Sequence, residues 1–202
     1  MTNPTTASAK ATQPSLTDVK TLRQRARAHL DAGAVTEGYE LDAEQVCKLL
    51  NEALATELVC VLRYRRHYFM ARGLVGAPVA QEFLAHATEE LGHADEIAER
   101  IVQLGGAPDF NPQSLTGRSH AEYVEGVTLI DMIRENLVAE RIAIDSYREM
   151  VNYLGDKDST TRRMLEGILA VEEEHADDMS DLLDGLPKDL AAIQRQVAQP
   201  AR

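Results

Sequence analysis

The sequence lacks tryptophan and has only three phenylalanines among its 202 residues. A buried core must therefore consist mainly of Leu, Ile, Val and Ala, a composition that favours closely packed helices. Long apolar runs are missing as well, which argues against a membrane-spanning helix. Residues 1 to 18 contain no apolar segment of the kind found in secretory signals, so we expect a cytoplasmic protein.

Cysteine and basic charge are also scarce. Cys47 and Cys60 fall on one predicted helix, about 20 Å apart, which is beyond the reach of a disulfide. We expect two reduced core thiols. The chain has 21 basic and 33 acidic side chains, which gives a net charge of −12. Such a surface should repel nucleic acid and anionic membranes as a whole.

Helical periodicity divides the chain into four segments. Residues 1–17 are predicted to be a disordered tail, 18–40 an N-terminal extension helix with its linker, 41–185 a four-helix bundle, and 186–202 a short C-terminal helix or tail. No stretch alternates like a strand, so the fold class is all-α. The four long helices are predicted at Ala43 to Arg72, stopped by Gly73; at Pro78 to Gly105; at Thr128 to Leu154; and at Ser159 to Gly185.

The connections between these helices indicate their arrangement. Short loops follow the first and the third helix, which predicts two antiparallel hairpins. About twenty residues separate the hairpins, enough to cross from one end of a bundle to the other.

One short motif occurs twice. "TEELGHAD" (88–95) and "VEEEHADD" (171–178) both contain Glu-x-x-His, as Glu90 with His93 and Glu172 with His175. Residues three apart share a helix face, so each pair offers carboxylate oxygen and imidazole nitrogen to one cation. A single copy would be weak evidence, because an exposed Glu–His pair is common on a solvated helix.

The repeat extends to the preceding helix of each hairpin. Glu57 lies 33 residues before Glu90, and Glu140 lies 32 residues before Glu172. Two hairpins related by a pseudo-twofold axis would bring these four glutamates and two histidines to the bundle centre. Each upstream glutamate is also followed, seven residues later, by a tyrosine on the same face, namely Tyr64 and Tyr147.

Four buried carboxylates without counterions would be protonated or would destabilise the fold. Two divalent cations would neutralise them, and this ligand set matches that of dimetal carboxylate bundles. The alternative places all six groups in solvent, but Glu57 lies within the apolar stretch "ALATELVCVL". The sequence therefore predicts a dimetal site.

From about residue 41 to 185 the sequence resembles bacterioferritin and its ferritin-like relatives, which include Dps-like proteins with a bacterioferritin-type site. The stretches that carry the resemblance are "NEALATELVCVLRY", "HATEELGHADEIAERIVQLGGAP", "DMIRENLVAERIAI" and "VEEEHADD". The resemblance implies a ferritin-like antiparallel four-helix bundle with one long crossover. It also implies two iron ions per subunit, a ferroxidase activity, and a homo-oligomeric cage of 12 or 24 subunits.

The resemblance further implies a role for individual residues. Glu57 and His93 would bind one iron, Glu140 and His175 the other, and Glu90 with Glu172 would bridge them. Tyr64 matches a tyrosine that can supply an electron. Leu91 stands where haem-binding relatives have methionine, so no haem is expected.

The leading hypothesis is an iron-storage ferroxidase that oxidises Fe(II) with O2 or H2O2. One alternative is a rubrerythrin-like peroxidase without a mineral store, although its rubredoxin-type Cys-x-x-Cys motif is absent. Another is a Dps-like dodecamer that protects DNA, for which the only basic face is Lys20, Arg23, Arg25 and Arg27. Manganese or zinc would accept similar ligands. His86 and Cys60 lie near the predicted site without an assigned role.

Overall fold

The structure, a computed structural model, describes residues 16–187 and Leu190. Regular structure in this part of the chain is entirely helical, which confirms the predicted fold class. None of the described helices is long and apolar enough to cross a membrane. The helices are α1 (Val19–Arg25), α2 (Ala43–Met70), α3 (Gly73–Gln103), α4 (Leu115–Arg118), α5 (Leu129–Leu154) and α6 (Ser159–Gly185), with a 3₁₀ turn at Leu30–Ala32.

Helices α2 and α3 form the first hairpin through a turn of only two residues. The sequence predicted a stop at Gly73 and a start at Pro78; both positions are wrong, because Gly73 itself begins α3 and Pro78 lies inside it. Gly73 adopts a φ of +83°, a conformation that glycine tolerates without a steric penalty. A Cβ on Gly76 would lie 3.1 Å from the Ala71 carbonyl carbon, so the absence of a side chain lets the turn close this tightly.

Helices α5 and α6 form the second hairpin, and each begins at a side-chain cap. Thr128 and Asp131 make a reciprocal capping box at the start of α5, and this start agrees with the one predicted from the sequence. Asp158 accepts from the backbone N–H of Thr161 at 2.9 Å and so caps α6. The first cap ends the crossover that leads into α5, and the second ends the short α5–α6 connection.

The connection between the hairpins runs along α2 from one end of the bundle to the other. Near its start Arg118 donates to the carbonyl of Asn51 at 2.8 Å. Further along, the N–H of His120 donates to the hydroxyl of Thr56 at 3.0 Å. Near its end Arg66 pairs with Glu125 at 2.7 Å. The predicted long crossover is therefore present, and α2 and α5 become antiparallel neighbours.

Two apolar clusters fill the bundle, one toward each end. One includes Leu54, Ile97 and Leu165, and the other includes Phe83 and Ile133. The predicted metal ligands lie on the inner faces of the helices between these clusters. The bundle thus surrounds a polar centre with apolar side chains above and below.

The N-terminal helix is shorter than predicted. The sequence predicted one amphipathic helix ending at Gly33, but α1 ends at Arg25 and His29 takes a left-handed φ of 50°. Leu30 is 77 % exposed, and no residue of α1 is buried, so no apolar contact extends the helix. Residues 1–15 of the predicted tail at 1–17, and most of the predicted C-terminal helix from Pro187 to Gln196, lie outside the described residues.

Candidate metal centre

All six predicted ligands meet inside the bundle, and each is buried. They form two overlapping groups whose donor atoms lie within 4.8 Å of one another. The first group consists of Glu57, Glu90, His93 and Glu172, and the second of Glu90, Glu140, Glu172 and His175. Each group takes three residues from one hairpin and one from the other.

The two shared glutamates are oriented to bridge the groups. Glu90 directs Oε2 toward His93 Nδ1 at 3.6 Å and Oε1 toward His175 Nδ1 at 3.8 Å. Glu172 directs Oε1 toward His93 Nδ1 at 2.9 Å and Oε2 toward His175 Nδ1 at 3.6 Å. One oxygen of each carboxylate therefore serves each half of the centre.

The atoms that face the centre have no hydrogen-bond partner among the described residues. Buried polar atoms are normally paired, so a group of unpaired donor atoms requires an explanation. Two cations between them would supply it, and the chemistry of the set fits iron or another borderline divalent metal. The unpaired atoms are Glu57 Oε2, Glu140 Oε2, both carboxylate oxygens of Glu90 and of Glu172, and Nδ1 of His93 and of His175.

Without a metal, protons neutralise the centre. Burial and the neighbouring Glu90 raise the pKa of Glu57 to about 8. Burial alone would lower the pKa of His93, but Glu172, Glu57 and Glu90 raise it to about 12. Burial likewise lowers the pKa of His175, but hydrogen bonding to Glu172 and Glu90 outweighs it and raises the pKa to about 11. Burial, with Glu90 and Glu172, also raises the pKa of Glu140 well above its ordinary value. Two protonated imidazoles and two protonated carboxyls thus balance the charge that cations would otherwise compensate.

The two tyrosines bond to the glutamates of the opposite hairpin. The Tyr64 hydroxyl donates to Glu140 Oε1, and the Tyr147 hydroxyl donates to Glu57 Oε1. The sequence spacing predicted that each tyrosine lies on the same helix face as the glutamate of its own hairpin. It did not predict that the hydroxyl bonds the glutamate of the opposite hairpin. Each bond uses the oxygen that does not face the centre, so it holds the carboxylate in place while leaving the other oxygen free.

Further groups contact the second half of the centre. Glu89 accepts from His175 Nε2 at 2.8 Å, which directs Nδ1 inward. The sequence alone favours a solvated Glu89, so this bond is a finding of the structure. His86 stacks on His175 with ring centroids 3.9 Å apart, and its Nδ1 lies 3.1 Å from the Tyr64 hydroxyl. Val171 occupies the position that corresponds to Glu89, so the two halves differ.

A buried polar network beside the centre was not predicted. Arg63 is fully buried and donates to Asn136 Oδ1 at 2.9 Å and to the Glu122 carbonyl at 3.1 Å. Its guanidinium also contacts Cys60 Sγ at 3.4 Å, and burial raises the pKa of this thiol. Cys60 belongs to none of the candidate ligand groups found among the described residues. No pattern in the sequence marked this arginine, because Arg65 and Arg66 follow it two and three residues later and the partner Asn136 lies on another helix.

Comparison with known proteins gives consistent matches. The family described as ferritin-like domain matches residues 47–188. Bacterioferritin of Mycobacterium avium is 30 % identical over 154 residues, which cover 74 % of this chain and 92 % of that protein. A nutrient stress-induced DNA-binding protein of Synechococcus is 33 % identical over 137 residues, covering 65 % of this chain and 77 % of that protein.

Solved structures give the same architecture. The dodecameric thioferritin from Bacteroides fragilis, a bacterioferritin-related protein, superposes with a TM-score of 0.69 at 32 % identity, covering 79 % of this chain and 94 % of that one. Dps from Thermosynechococcus elongatus superposes with a TM-score of 0.67 at 21 % identity, over 73 % and 94 % of the two chains, and indicates a shared fold.

Proposed function

Because this chain belongs to the family of proteins with a ferritin-like domain, we propose that it binds two Fe(II) ions per subunit as substrate and oxidises them. O2 or H2O2 would accept the electrons, and the ferric product would be stored inside a homo-oligomeric cage. The observation that carries the proposal is the orientation of Glu90 and Glu172, each of which directs one unpaired oxygen to each half of the centre.

The charges of the site support two divalent ions. Four carboxylates carry four negative charges, which two Fe(II) ions balance once both histidines are neutral. In this proposal Glu57 and His93 hold one ion, Glu140 and His175 hold the other, and Glu90 with Glu172 bridge. Oxidation of the pair releases two electrons, which reduce O2 to H2O2 with two protons or H2O2 to two water molecules with two protons.

Tyr64 is proposed to supply one of the two electrons that reduce H2O2 to water when only one Fe(II) ion of the pair is available. Its hydroxyl donates to Glu140, so the phenol is separated from the centre by one carboxylate. Loss of an electron from the ring would be accompanied by transfer of the O–H proton to Glu140 Oε1. A tyrosyl radical signal in electron paramagnetic resonance that is lost in Tyr64→Phe but kept in Tyr147→Phe would support this role.

Stepwise aerobic loading with Fe(II) tests the main proposal. We expect ferric absorbance to develop rapidly, and each subunit to retain hundreds of iron ions after gel filtration. Glu90→Gln should slow oxidation at least about tenfold, because it removes charge from both halves. Glu173→Gln is the matched control, since Glu173 pairs with Arg148 on the surface. Equal rates for Glu90→Gln and the wild type would contradict a ferroxidase at this site.

The iron content also separates storage from a peroxidase. Retention of only about two ions per subunit, combined with turnover of H2O2, would indicate a rubrerythrin-like enzyme instead. Retention of hundreds of ions requires a cage with a mineral core.

A second candidate function, protection of DNA, is favoured by the relatives. Besides the Synechococcus protein, a DNA protection during starvation protein of Pyrococcus furiosus is 29 % identical over 150 residues. Lys20, Arg23 and Arg25 are exposed on α1, whereas the net charge of −12 opposes DNA binding. Retardation of duplex DNA that weakens with salt and disappears on deletion of residues 1–31 would support this function. No retardation at roughly 50 mM salt would exclude it.

A further inference from the structure

A second cluster of metal-binding side chains lies between the centre and the surface. It consists of Glu82 and His86 on α3 and Asp178 on α6, whose donor atoms lie within 4.8 Å of one another. His86 is only 2 % exposed, whereas the Asp178 side chain is 52 % exposed. Glu82 and Asp178 also line a surface cavity of about 420 Å³, together with Asp181. The cluster therefore has a buried nitrogen on one side and a solvent-accessible, acidic opening on the other.

The hydrogen bonds around His86 determine what its outer nitrogen can do. The Tyr64 hydroxyl gives its only proton to Glu140, so its oxygen can accept from His86 Nδ1 at 3.1 Å. In the neutral imidazole this tautomer leaves a lone pair on Nε2. That lone pair faces two carboxylate oxygens, Glu82 Oε1 and Asp178 Oδ2, each at 3.4 Å. Three acceptors thus converge without a donor, an arrangement that a cation would stabilise.

The spacing of these acceptors suits a metal ion. Two ligands bound at about 2.1 Å to the same ion lie roughly 3.0–3.4 Å apart, from octahedral to tetrahedral geometry. The observed separations of 3.4 Å from Nε2 to each oxygen meet the upper end of this range. Two carboxylates and one imidazole would leave the remaining coordination positions open to water from the cavity.

We propose that Glu82, His86 and Asp178 form an additional binding site for a divalent transition-metal ion such as Fe(II), distinct from the dimetal centre. The ion would enter from the acidic cavity and occupy this site before it reaches the centre. That delivery role rests on the proposed ferroxidase function, whereas binding itself does not.

His86 lies between the two outer carboxylates and the dimetal centre, so it could pass an ion from one to the other. On its inner side the ring stacks on His175, and donor atoms of His86, Glu140 and His175 also lie within 4.8 Å of one another. On its outer side the ring faces Glu82 and Asp178. A rotation of the imidazole would pass an ion from the outer carboxylates to the Glu140 half of the centre. The first half has no counterpart, since Ile168 occupies the equivalent position four residues before Glu172.

Binding is tested with Zn(II), which is redox-inert, on the full-length protein. Crystals soaked in Zn(II) should show an anomalous peak among Glu82, His86 and Asp178 in addition to two peaks in the centre. Asp178→Asn and Glu82→Gln should each weaken the outer peak, with roughly 10- to 100-fold lower affinity in solution, while both central peaks remain. Asp177→Asn, an exposed neighbour on α6, is the control with the same change in charge and should leave all three peaks unchanged.

The outcomes separate this site from the proposed function. Two central peaks without an outer one in the wild type would overturn the inference and indicate that a proton, not a metal, joins the three groups. An outer peak that persists unchanged in Asp178→Asn and Glu82→Gln would overturn it as well. An outer peak in a protein that shows no iron oxidation would confirm the binding site while refuting the ferroxidase.

Delivery is tested by kinetics at limiting Fe(II). Asp178→Asn should reduce the initial oxidation rate several-fold at low Fe(II), and the wild-type rate should return at saturating Fe(II), because the centre itself is intact. Unchanged rates at low Fe(II) would exclude a role in delivery. Asp177→Asn again serves as the control.

Discussion

Each tyrosine hydroxyl at the centre supports one half of it. The Tyr147 hydroxyl bonds Glu57, and the Tyr64 hydroxyl bonds Glu140, each from the opposite hairpin. These two glutamates are the ones proposed to hold one ion each. Removal of a hydroxyl leaves a buried carboxylate oxygen without its partner, which costs on the order of 1–3 kcal/mol. The two substitutions should therefore act on different metal positions.

We expect Tyr147→Phe to weaken the ion held by Glu57 and His93, and Tyr64→Phe to weaken the ion held by Glu140 and His175. The expected loss is about 10- to 100-fold in affinity. Anomalous diffraction at limiting Zn(II) measures the occupancy of each position, and the variants serve as controls for each other. Loss at the same position in both variants would show that the hydroxyls do not act through these carboxylates.

Metal binding at the centre should also depend on pH. With pKa values of about 8 for Glu57, about 12 for His93 and about 11 for His175, these three groups hold protons at pH 7 in the metal-free protein. Burial and the neighbouring Glu90 and Glu172 raise the pKa of Glu140 well above its ordinary value, so this carboxyl holds a fourth proton. Metal ligands must be deprotonated, so binding releases these protons and the affinity rises with pH.

Calorimetric titration with Zn(II) in buffers of different ionisation enthalpy counts the released protons. We expect about four protons per filled centre at pH 7, one each from Glu57, Glu140, His93 and His175, and stronger binding at pH 8 than at pH 6. Glu90→Gln should release fewer protons because it binds fewer ions. A binding enthalpy that does not vary with the buffer would contradict this protonation scheme.

At the scale of the helices, Asp158 joins three elements. It caps α6, accepts from Arg100 of α3 at 3.1 Å, and accepts from the Tyr39 hydroxyl of the linker at 2.9 Å. Burial alone would raise the pKa of Asp158, but the bonds from Thr161, Tyr39 and Arg100 hold it below the ordinary value. The pKa is therefore lower in the folded than in the unfolded protein. The resulting stability is present above about pH 4 and is lost as the pH falls through the folded value.

Asp158→Asn should keep the capping oxygen and remove the charge. We expect a loss of about 1–3 kcal/mol at pH 7, seen as a lower melting temperature, and a smaller difference from the wild type near pH 3. Asp156→Asn is the matched control, because Asp156 pairs with Arg162 in full solvent exposure and should change stability little. An equal effect of Asp158→Asn at both pH values would show that its charge is not involved.

Local chemistry explains which helix ends could be predicted. The start of α5 was readable because Thr128 and Asp131 form a cap within three residues of each other. The start of α3 was not, because its position depends on how the α2–α3 turn closes against the Ala71 backbone. Pro78 is compatible with a first helical turn and also with the interior of this helix.

At the scale of the whole molecule, assembly into a cage is a further expectation. The solved thioferritin at 32 % identity is a dodecamer, and exposed apolar side chains such as Leu62 and Phe69 on α2 could be covered by neighbouring subunits. For subunits of 22.3 kDa, twelve copies give about 268 kDa and twenty-four give about 535 kDa. Light scattering after size exclusion should give the smaller value. A mass of one or two subunits would contradict the cage.

The centre could be predicted because its ligands repeat along the chain. Two hairpins with nearly equal spacing between glutamate and Glu-x-x-His identify six groups from sequence alone. The surrounding contacts could not be predicted, because spacing within one hairpin does not show which side chains of the other hairpin it meets. Tyr64 reaches Glu140, Glu89 reaches His175, and Arg63 reaches Asn136, each across the bundle.

Each group of donor atoms is divided between the two hairpins, so a metal ion bound there would connect them. If each group of donor atoms holds one ion, as proposed, that ion would be attached to three side chains of one hairpin and one of the other, and filling the centre would cross-link the two hairpins. In the metal-free protein the centre is instead a layer of protonated polar side chains between two apolar clusters. The stability of the contact between the two hairpins would therefore depend on iron supply. In the metal-free subunit, local unfolding would begin with separation of the hairpins at the centre.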